Sequence, residues 1–508
     1  MTSDSSGAGG TASTSAGLEP KNNLGHRASR GVVVTLGGLW SKTLIQLAST
    51  VVLARLLDPS DFGLLAMITA VVGIADLVRD FGMTGAIIQV RKLSDELWSS
   101  VLWLSVALGF ICMLLIAGAA PLIAGLYGED RLVVLTLALA PTLLINGICM
   151  PLQAKLQRDM KFGSMARIDV VSMATGVVGS IIAALLGAGV WSLIVLSTAA
   201  LAYRFVALWV ASKPRFGRPR ISREVLPLLS TGGSLFGVQL LNYAGRNMDN
   251  IVVGQFVGAA ALGQYSRGYA LFLLPLQQLN GPIGRVALPV LSTLQDDPNR
   301  YRRYVRGALS VIGYLTLPTF AIASAVSVPL INVVLGDNWD TSAQVFSILA
   351  IAGVATGIGN VQGWLYLTLG RTHRQLVFYL WSRPIVVASF FVGVWWNGVL
   401  GVAMAYSLVT VVLIIPGFWL AIRGTFVTVS DIVRPVLRPL ALVPFMYTLA
   451  WGTVAYTALP SALEVIMGGL VGLLPLAFSL LILAYRRDVA EIVSFVKQMK
   501  KPRPTVSV

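Results

Sequence analysis

Residues 51–63 read Val51-Val52-Leu53-Ala54-Arg55-Leu56-Leu57-Asp58-Pro59-Ser60-Asp61-Phe62-Gly63, and residues 251–263 read Ile251-Val252-Val253-Gly254-Gln255-Phe256-Val257-Gly258-Ala259-Ala260-Ala261-Leu262-Gly263. In both, an apolar run stops at a short link and resumes at a large apolar residue followed by glycine. Upstream of each stands a glycine pair, Gly37-Gly38 and Gly232-Gly233, at a slightly shorter offset. The links join the first apolar segment to the second, and the seventh to the eighth. Six segments, an even number, separate the copies, so both would keep one orientation in a membrane. Parallel repeats of this kind build two lobes around a central cavity. The alignment also keeps Arg246 and Asp249 inside the seventh segment, which a hydropathy profile alone would break at residues 242–250.

Around these links the chain is apolar. Its 508 residues are 56% hydrophobic and only 12% charged, with a mean hydropathy of +0.78. A soluble domain carries about 25% charged residues. Lipid must therefore wet much of the surface. Fourteen candidate spans follow: 31–54, 62–84, 99–122, 132–151, 168–187, 190–210, 226–256, 263–284, 307–335, 343–364, 376–396, 399–421, 436–456 and 463–484. Each is about the 20 residues that cross roughly 30 Å of hydrocarbon. The seventh and ninth are longer, and a long stretch can hide a break. With an even count and the N-terminus cytoplasmic, 30 of the 38 Lys and Arg fall on the inside and only Arg55 and Arg131 in outer loops. That is the asymmetry of a cytoplasmic side. Both termini are then cytoplasmic.

The organisation read from this is an all-α polytopic membrane protein with a disordered tail over 1–29 and an N-lobe over 30–223. A C-lobe spans 224–424, two further helices 425–485, and a basic tail 486–508. Residues 1–29 carry no charged start, apolar core and cleavage site of a signal peptide. No GxxxxGK[ST] loop for ATP occurs. Cys112 and Cys149 read as packing residues, and His26 and His373 form no metal site. No cofactor, metal or nucleic acid is expected; the +16 formal charge is accounted for by topology. Trp98 and Trp339, near span ends, fit interfacial anchoring. Pro227, Pro275, Pro289, Pro318, Pro329 and Pro384 are candidate bends.

Six bases fall inside spans: Lys42, Arg79, Arg204, Arg246, Arg267 and Arg383. A charge at mid-helix costs about 2.5–3.5 kcal/mol on translocon-based scales, so lipid-facing placement is disfavoured. Asp76 and Arg79 share a helix face, with Asp80 four residues beyond Asp76. They read as a structural or gating ion pair. Arg246 and Asp249 repeat that spacing among Asn242, Asn250 and other amides, and read either as cavity residues or as a structural pair. Lys42 has no acid in its own span; it lines a cavity or bonds an acid on another helix. Arg267 reads as a cavity or interfacial residue. Arg204 lies deep in its run, and Arg383 can snorkel. Asp169 and Glu464 sit at span edges. No acid occurs in the first span, and the acids deep inside other spans each have a basic neighbour, which favours an anionic cargo, such as a diphosphate, over a cationic drug.

Residues 53–63, with Asp80-Phe81-Gly82-Met83-Thr84-Gly85-Ala86-Ile87-Ile88-Gln89, closely resemble bacterial polysaccharide biosynthesis flippases of the WzxC type. Leu262-Gly263-Gln264-Tyr265-Ser266-Arg267 is similar to the second-half counterpart, and the likeness covers about residues 31–485. The resemblance implies the multidrug/oligosaccharidyl-lipid/polysaccharide exporter superfamily: two six-helix lobes in a MATE-like V, plus two C-terminal helices. It implies an undecaprenyl-diphosphate-linked oligosaccharide as cargo, moved from the cytoplasmic to the outer leaflet of the bacterial inner membrane. It further implies basic cavity residues for the headgroup, carried over by topology onto Lys42, Arg246 and Arg267. Coupling to protons or sodium fits such a carrier, although no coupling residue stands out. A polysaccharide polymerase and export machinery are the expected partners, and a monomer is the default. The rivals are a flippase for another lipid-linked precursor, such as the peptidoglycan intermediate, and an ion-coupled multidrug exporter. An enzyme would need catalytic carboxylates and a substantial outer loop, which are lacking.

Overall fold

The computed structural model describes residues 22–80, 95–213 and 225–500. The Phe81–Gln89 part of the resemblance, Arg91 and Lys92, residues 1–21 and most of the 213–223 loop lie outside the described residues. The described chain is helical: α1 (Asn22–Leu56), α2 (Pro59–Asp80), α3 (Asp95–Tyr127), α4 (Arg131–Arg158), α5 (Phe162–Leu185) and α6 (Trp191–Ser212) come first. Then follow α7 (Val225–Val257), α8 (Ala259–Thr293), α9 (Pro298–Ala325), α10 (Ser327–Val334) and α11 (Asp340–Thr368). The helical run Thr372–Ile422 is interrupted by non-helical dihedrals at Asn397 and Gly398, which divide it into α12 (372–396) and α13 (399–422). The chain ends in α14 (Val429–Tyr456), α15 (Ser461–Ser479) and α16 (Leu483–Lys500).

Each of the fourteen expected spans overlaps a helix. The ninth does hide a break: the helix stops at Ala325 and a short second helix, α10, runs from Ser327. Residues 22–29, expected in the tail, already belong to α1, and most of the expected basic tail forms α16. Among the described residues, ten of the helical runs are long and apolar enough to cross a membrane by length and composition, Thr372–Ile422 counting as one. The long helices α1, α7 and α8 carry Lys42, Arg246 and Arg267.

In the first lobe α3 packs on α4, α5 on α6, and α1 on α5; in the second, α11 packs on α8, α9 and the α12–α13 pair, and α12–α13 on α7. Outward faces carry exposed Leu115, Leu122, Leu186, Val392, Leu408 and Ile415. Apolar side chains standing out from backbones that satisfy their own hydrogen bonds are what a bilayer solvates.

The lobes meet where α2 runs along α8 and α7. A Cβ on Gly63 would sit 1.7 Å from the Ala259 carbonyl oxygen, and a Cβ on Gly263 would sit 1.7 Å from the Pro59 carbonyl oxygen. Positions 59 and 259, and 63 and 263, are counterparts in the repeat. Residue i of one copy thus touches residue j of the other, and j touches i, the signature of a two-fold relation. Only glycine lets the backbones approach so closely. The α7–α8 link is one residue, Gly258, at φ +98, a left-handed value that glycine adopts without strain.

The seam is strongest at the end of the bundle that holds the α1–α2 and α7–α8 links, the turn end. There Phe62 packs edge-on against Trp339, with centroids 5.5 Å apart, and the Trp339 indole donates to the Ala54 carbonyl at 3.1 Å. Arg55 Nη2 donates to the Val333 carbonyl at 2.8 Å. Two expectations change. Arg55 is not a loop charge but closes the last turn of α1 onto the other lobe. Trp339, 1% exposed, and Trp98, 5% exposed, are packed inside protein rather than anchored in an interface. A tryptophan near a span end has the same local sequence in either role; only the neighbouring helix decides.

The opposite, basic end holds α14–α16 against α9. Asp431 caps α14 with Thr428 and also accepts from Arg302 Nε at 2.7 Å, with Arg306 Nε 3.3 Å away. Asp488 of α16 pairs with Arg438 and accepts from Tyr314 Oη.

Candidate functional site: three polar cavities and an apolar groove

Inside the first lobe lie two adjoining cavities of about 250 and 390 Å³, which share Asp76, Asn146 and Arg204 as walls. Every helix of the lobe except α3 contributes: Lys42 from α1, Asp76 and Arg79 from α2, Asn146 and Gln153 from α4, Asp169 from α5 and Arg204 from α6. The expected Asp76–Arg79 pair is made, Nη1 to Oδ1 at 2.6 Å, with the Arg79 side chain 9% exposed. Asp80 lines the smaller cavity. Arg204 Nη2 donates to Gln153 Oε1 at 2.6 Å and lies 3.6 Å from Asp169. Asp169 was expected at an interface; it stands two turns into α5 and faces the cavity, where Arg204 offsets its charge. Lys42 lines the larger cavity and, among the described residues, forms no ion pair. Of its two readings, the structure takes the cavity wall.

The second lobe holds a different cavity, about 260 Å³, between α11, α12 and α13. Its polar wall consists of Thr356, Asn360, Gln362, Ser382, Arg383 and Thr410, with the rings of Tyr379 and Tyr406. The Arg383 guanidinium lies 4.8 Å over the Tyr379 ring. Its stem packs under α7, where a Cβ on Gly245 would meet Arg383 Cδ at 3.1 Å. A neighbouring apolar groove of about 660 Å³ runs between α9, α11, α13 and α14, lined by Phe320, Ile351, Val354, Val411 and Leu440 among others. Ala355 and Ile414 line both spaces, so the polar cavity and the groove share a wall there.

The helix α7 lies between the lobes. Tyr243 Oη donates to the carbonyls of Thr69 and Ala70 on α2, both at 3.0 Å. Asn242, Arg246 and Asn250 recur at helical spacing and share a face, and Arg246 is exposed. The Arg246–Asp249 pair does not form. Asp249, 1% exposed, accepts from Tyr265 Oη at 2.8 Å and from the Asn250 amide at 2.8 Å. The three-residue spacing permits a pair but does not require one, and a phenol from α8 reaches Asp249 instead. Arg267 lines none of the three polar cavities. It sits at the seam, 4.7 Å over the Phe62 ring, completing a stack of Arg267, Phe62 and Trp339.

The structure thus brings Lys42, Asp76, Arg79, Asp80 and Arg204 together, and keeps Arg383, Arg246 and Arg267 apart from them. The reading from sequence missed Asn146, Gln153, Asn360, Gln362, Tyr379 and Tyr406. Asn146 and Gln153 are seven apart on α4, one helical face, and amides inside an apolar run are the signal that could have found them.

Residues 52–344, more than half of the chain, match the family described as "Polysaccharide biosynthesis protein". The chain is 26% identical over 424 residues to the teichuronic acid biosynthesis protein TuaB of Bacillus subtilis, covering 82% of this chain and 85% of that protein. It is 26% identical over 388 residues to the lipopolysaccharide biosynthesis protein WzxC of Escherichia coli, covering 74% and 77%. Its fold is that of the lipid II flippase MurJ in an inward closed conformation, with a TM-score of 0.71 at 14% identity, covering 90% of this chain and all of that one. An inward-facing MATE transporter of the MOP superfamily gives 0.59 at 17% identity, over 77% and 97%. The V of two roughly six-helix lobes is shared with both of these structures. This chain is a multi-span membrane protein belonging to the polysaccharide biosynthesis protein family.

Proposed function

We propose that the chain flips an undecaprenyl-diphosphate-linked oligosaccharide repeat unit from the cytoplasmic to the outer leaflet of the inner membrane, for polysaccharide export. One observation carries this reading: a polar cavity and an apolar groove lie side by side within one lobe, with Ala355 and Ile414 as their shared wall. A drug-sized cation needs no such groove; a glycan on a long polyprenyl tail needs both environments at once. The relatives' names, which concern surface polysaccharides, support the same cargo.

The excess of Lys and Arg at the basic end makes that end cytoplasmic. The turn end, sealed by the glycine crossing and the Arg267–Phe62–Trp339 stack, is then the outer gate, shut in this conformation. The headgroup enters from the basic end. Lys42 and Arg246, cations without an ion-pair partner among the described residues, supply the positive field for the diphosphate, and the tail follows the groove. The Asp169–Arg204 contact joins α5 to α6, and the Asp76–Arg79 pair closes within α2, so both acids in the wall beside Lys42 have a basic partner of their own.

The test is transport by the purified chain in liposomes, with the lipid-linked oligosaccharide loaded on one side and a sugar-modifying enzyme added on the other. Modification that depends on the protein and falls about tenfold or more in Lys42→Gln, the loss of one charge-assisted contact, is expected. Protein-independent modification overturns the reading.

A further inference from the structure

We propose that the second-lobe cavity around Arg383 is a built subsite for an oxyanion flanked by hydroxyls, such as the carboxylate of an acidic sugar in the glycan or the phosphate at its reducing end. The inference rests on the flippase reading and adds to it the recognition of a particular chemical group by a particular residue.

Three features of the cavity point the same way. Its cation is uncompensated: no carboxylate lines the space, and Arg383 forms no ion pair among the described residues. The two first-lobe arginines, Arg79 and Arg204, each have an acid within 4 Å. Second, Arg383 is held in place, with Tyr379 against its guanidinium and α7 against its stem at Gly245. A planar fork already fixed loses little freedom when it binds a carboxylate or phosphate through two parallel hydrogen bonds. Third, the rest of the wall offers what a saccharide ring offers back: amides at Asn360 and Gln362, hydroxyls at Thr356, Ser382 and Thr410, and the two tyrosine rings. Amides and hydroxyls both donate and accept, as sugar hydroxyls do.

Binding to the full-length protein in detergent tests this without any transport step, so its failure is separable from failure of the flippase reading. The probes are a glucuronate-containing disaccharide, its methyl ester, and a sugar diphosphate, titrated by calorimetry into wild type, Arg383→Lys and Arg383→Gln. The expected result is roughly 10- to 100-fold weaker binding of a charged probe to Arg383→Gln, the range for losing a charge-assisted contact. Arg383→Lys should be intermediate, and the ester should bind weakly and equally to all three. Loss confined to the glucuronate probe names a sugar carboxylate as the ligand; loss confined to the diphosphate names the reducing end. As a check that needs no variant, a saturating charged probe should protect Arg383 of the wild type from phenylglyoxal, read by mass spectrometry. Equal affinity of all three proteins for both charged probes, or no protection of Arg383, overturns the proposal.

Discussion

The two lobes descend from one pattern and have diverged where the cargo would meet them. At the seam they are still alike: Gly63 faces Ala259 as Gly263 faces Pro59. In the interior they are not. The first lobe is a network of opposed charges, with Asp76 on Arg79, Asp169 beside Arg204, and Lys42 on the same wall. The second replaces acids with amides, hydroxyls and tyrosine rings around one arginine, and buries its own acid, Asp249, beneath Tyr265. Close packing at the crossing tolerates only glycine and so preserves the repeat. Cavity walls tolerate many side chains and so record specialisation.

The largest effect tests the symmetry of the seam. Gly63→Ala and Gly263→Ala each place a methyl group inside a carbonyl contact, which the closed turn end cannot accept. Each should shift the closed-to-open ratio by at least about tenfold, or ~1.4 kcal/mol, read as labelling of a cysteine introduced at Trp339. The two variants should agree. A large effect from one and none from the other would mean that the seam is not symmetric.

Next comes the charge network. Asp76→Asn strands Arg79, whose side chain is 9% exposed. Removing one partner of a buried pair costs about 3–5 kcal/mol. Asp76 is itself 42% exposed, so about 2 kcal/mol is expected after allowing for solvent screening. Thermal unfolding in detergent should show the loss, and Asp76→Asn with Arg79→Gln should recover part of it. Asp169→Asn should cost less, about 1 kcal/mol or below, since its contact with Arg204 is long, at 3.6 Å, with both side chains partly exposed, and Gln153 still holds the arginine. If Asp169→Asn proved the more damaging of the two, the ranking by burial would be wrong. Smallest of all, Trp395→Ala, at a residue 90% exposed that lines none of these cavities, should leave thermal stability within about 0.5 kcal/mol.

What could be read from the sequence were features fixed by local spacing. The spans, the 200-residue repeat and the Asp76–Arg79 pair depend on residues close along the chain or on a periodic pattern. So did the retention of Arg246 and Asp249 within α7. The rest depends on which helix lies opposite. Asp169 finds Arg204 across two helices, and Tyr265 takes Asp249 from Arg246. Trp339 leaves the interface for the seam because Phe62 and the Ala54 carbonyl are there to receive it. Lipid and protein neighbours select the same apolar residues, so hydropathy cannot separate a helix face that meets a bilayer from one that meets the other lobe.

The most direct measurement locks the turn end and watches the cargo. Cysteines introduced at Phe62 and Trp339 would be joined by a reducible cross-linker in liposomes carrying the lipid-linked oligosaccharide. The account predicts translocation before cross-linking, none while the gate is tied, and recovery on reduction. Translocation that continues with the gate tied would contradict it.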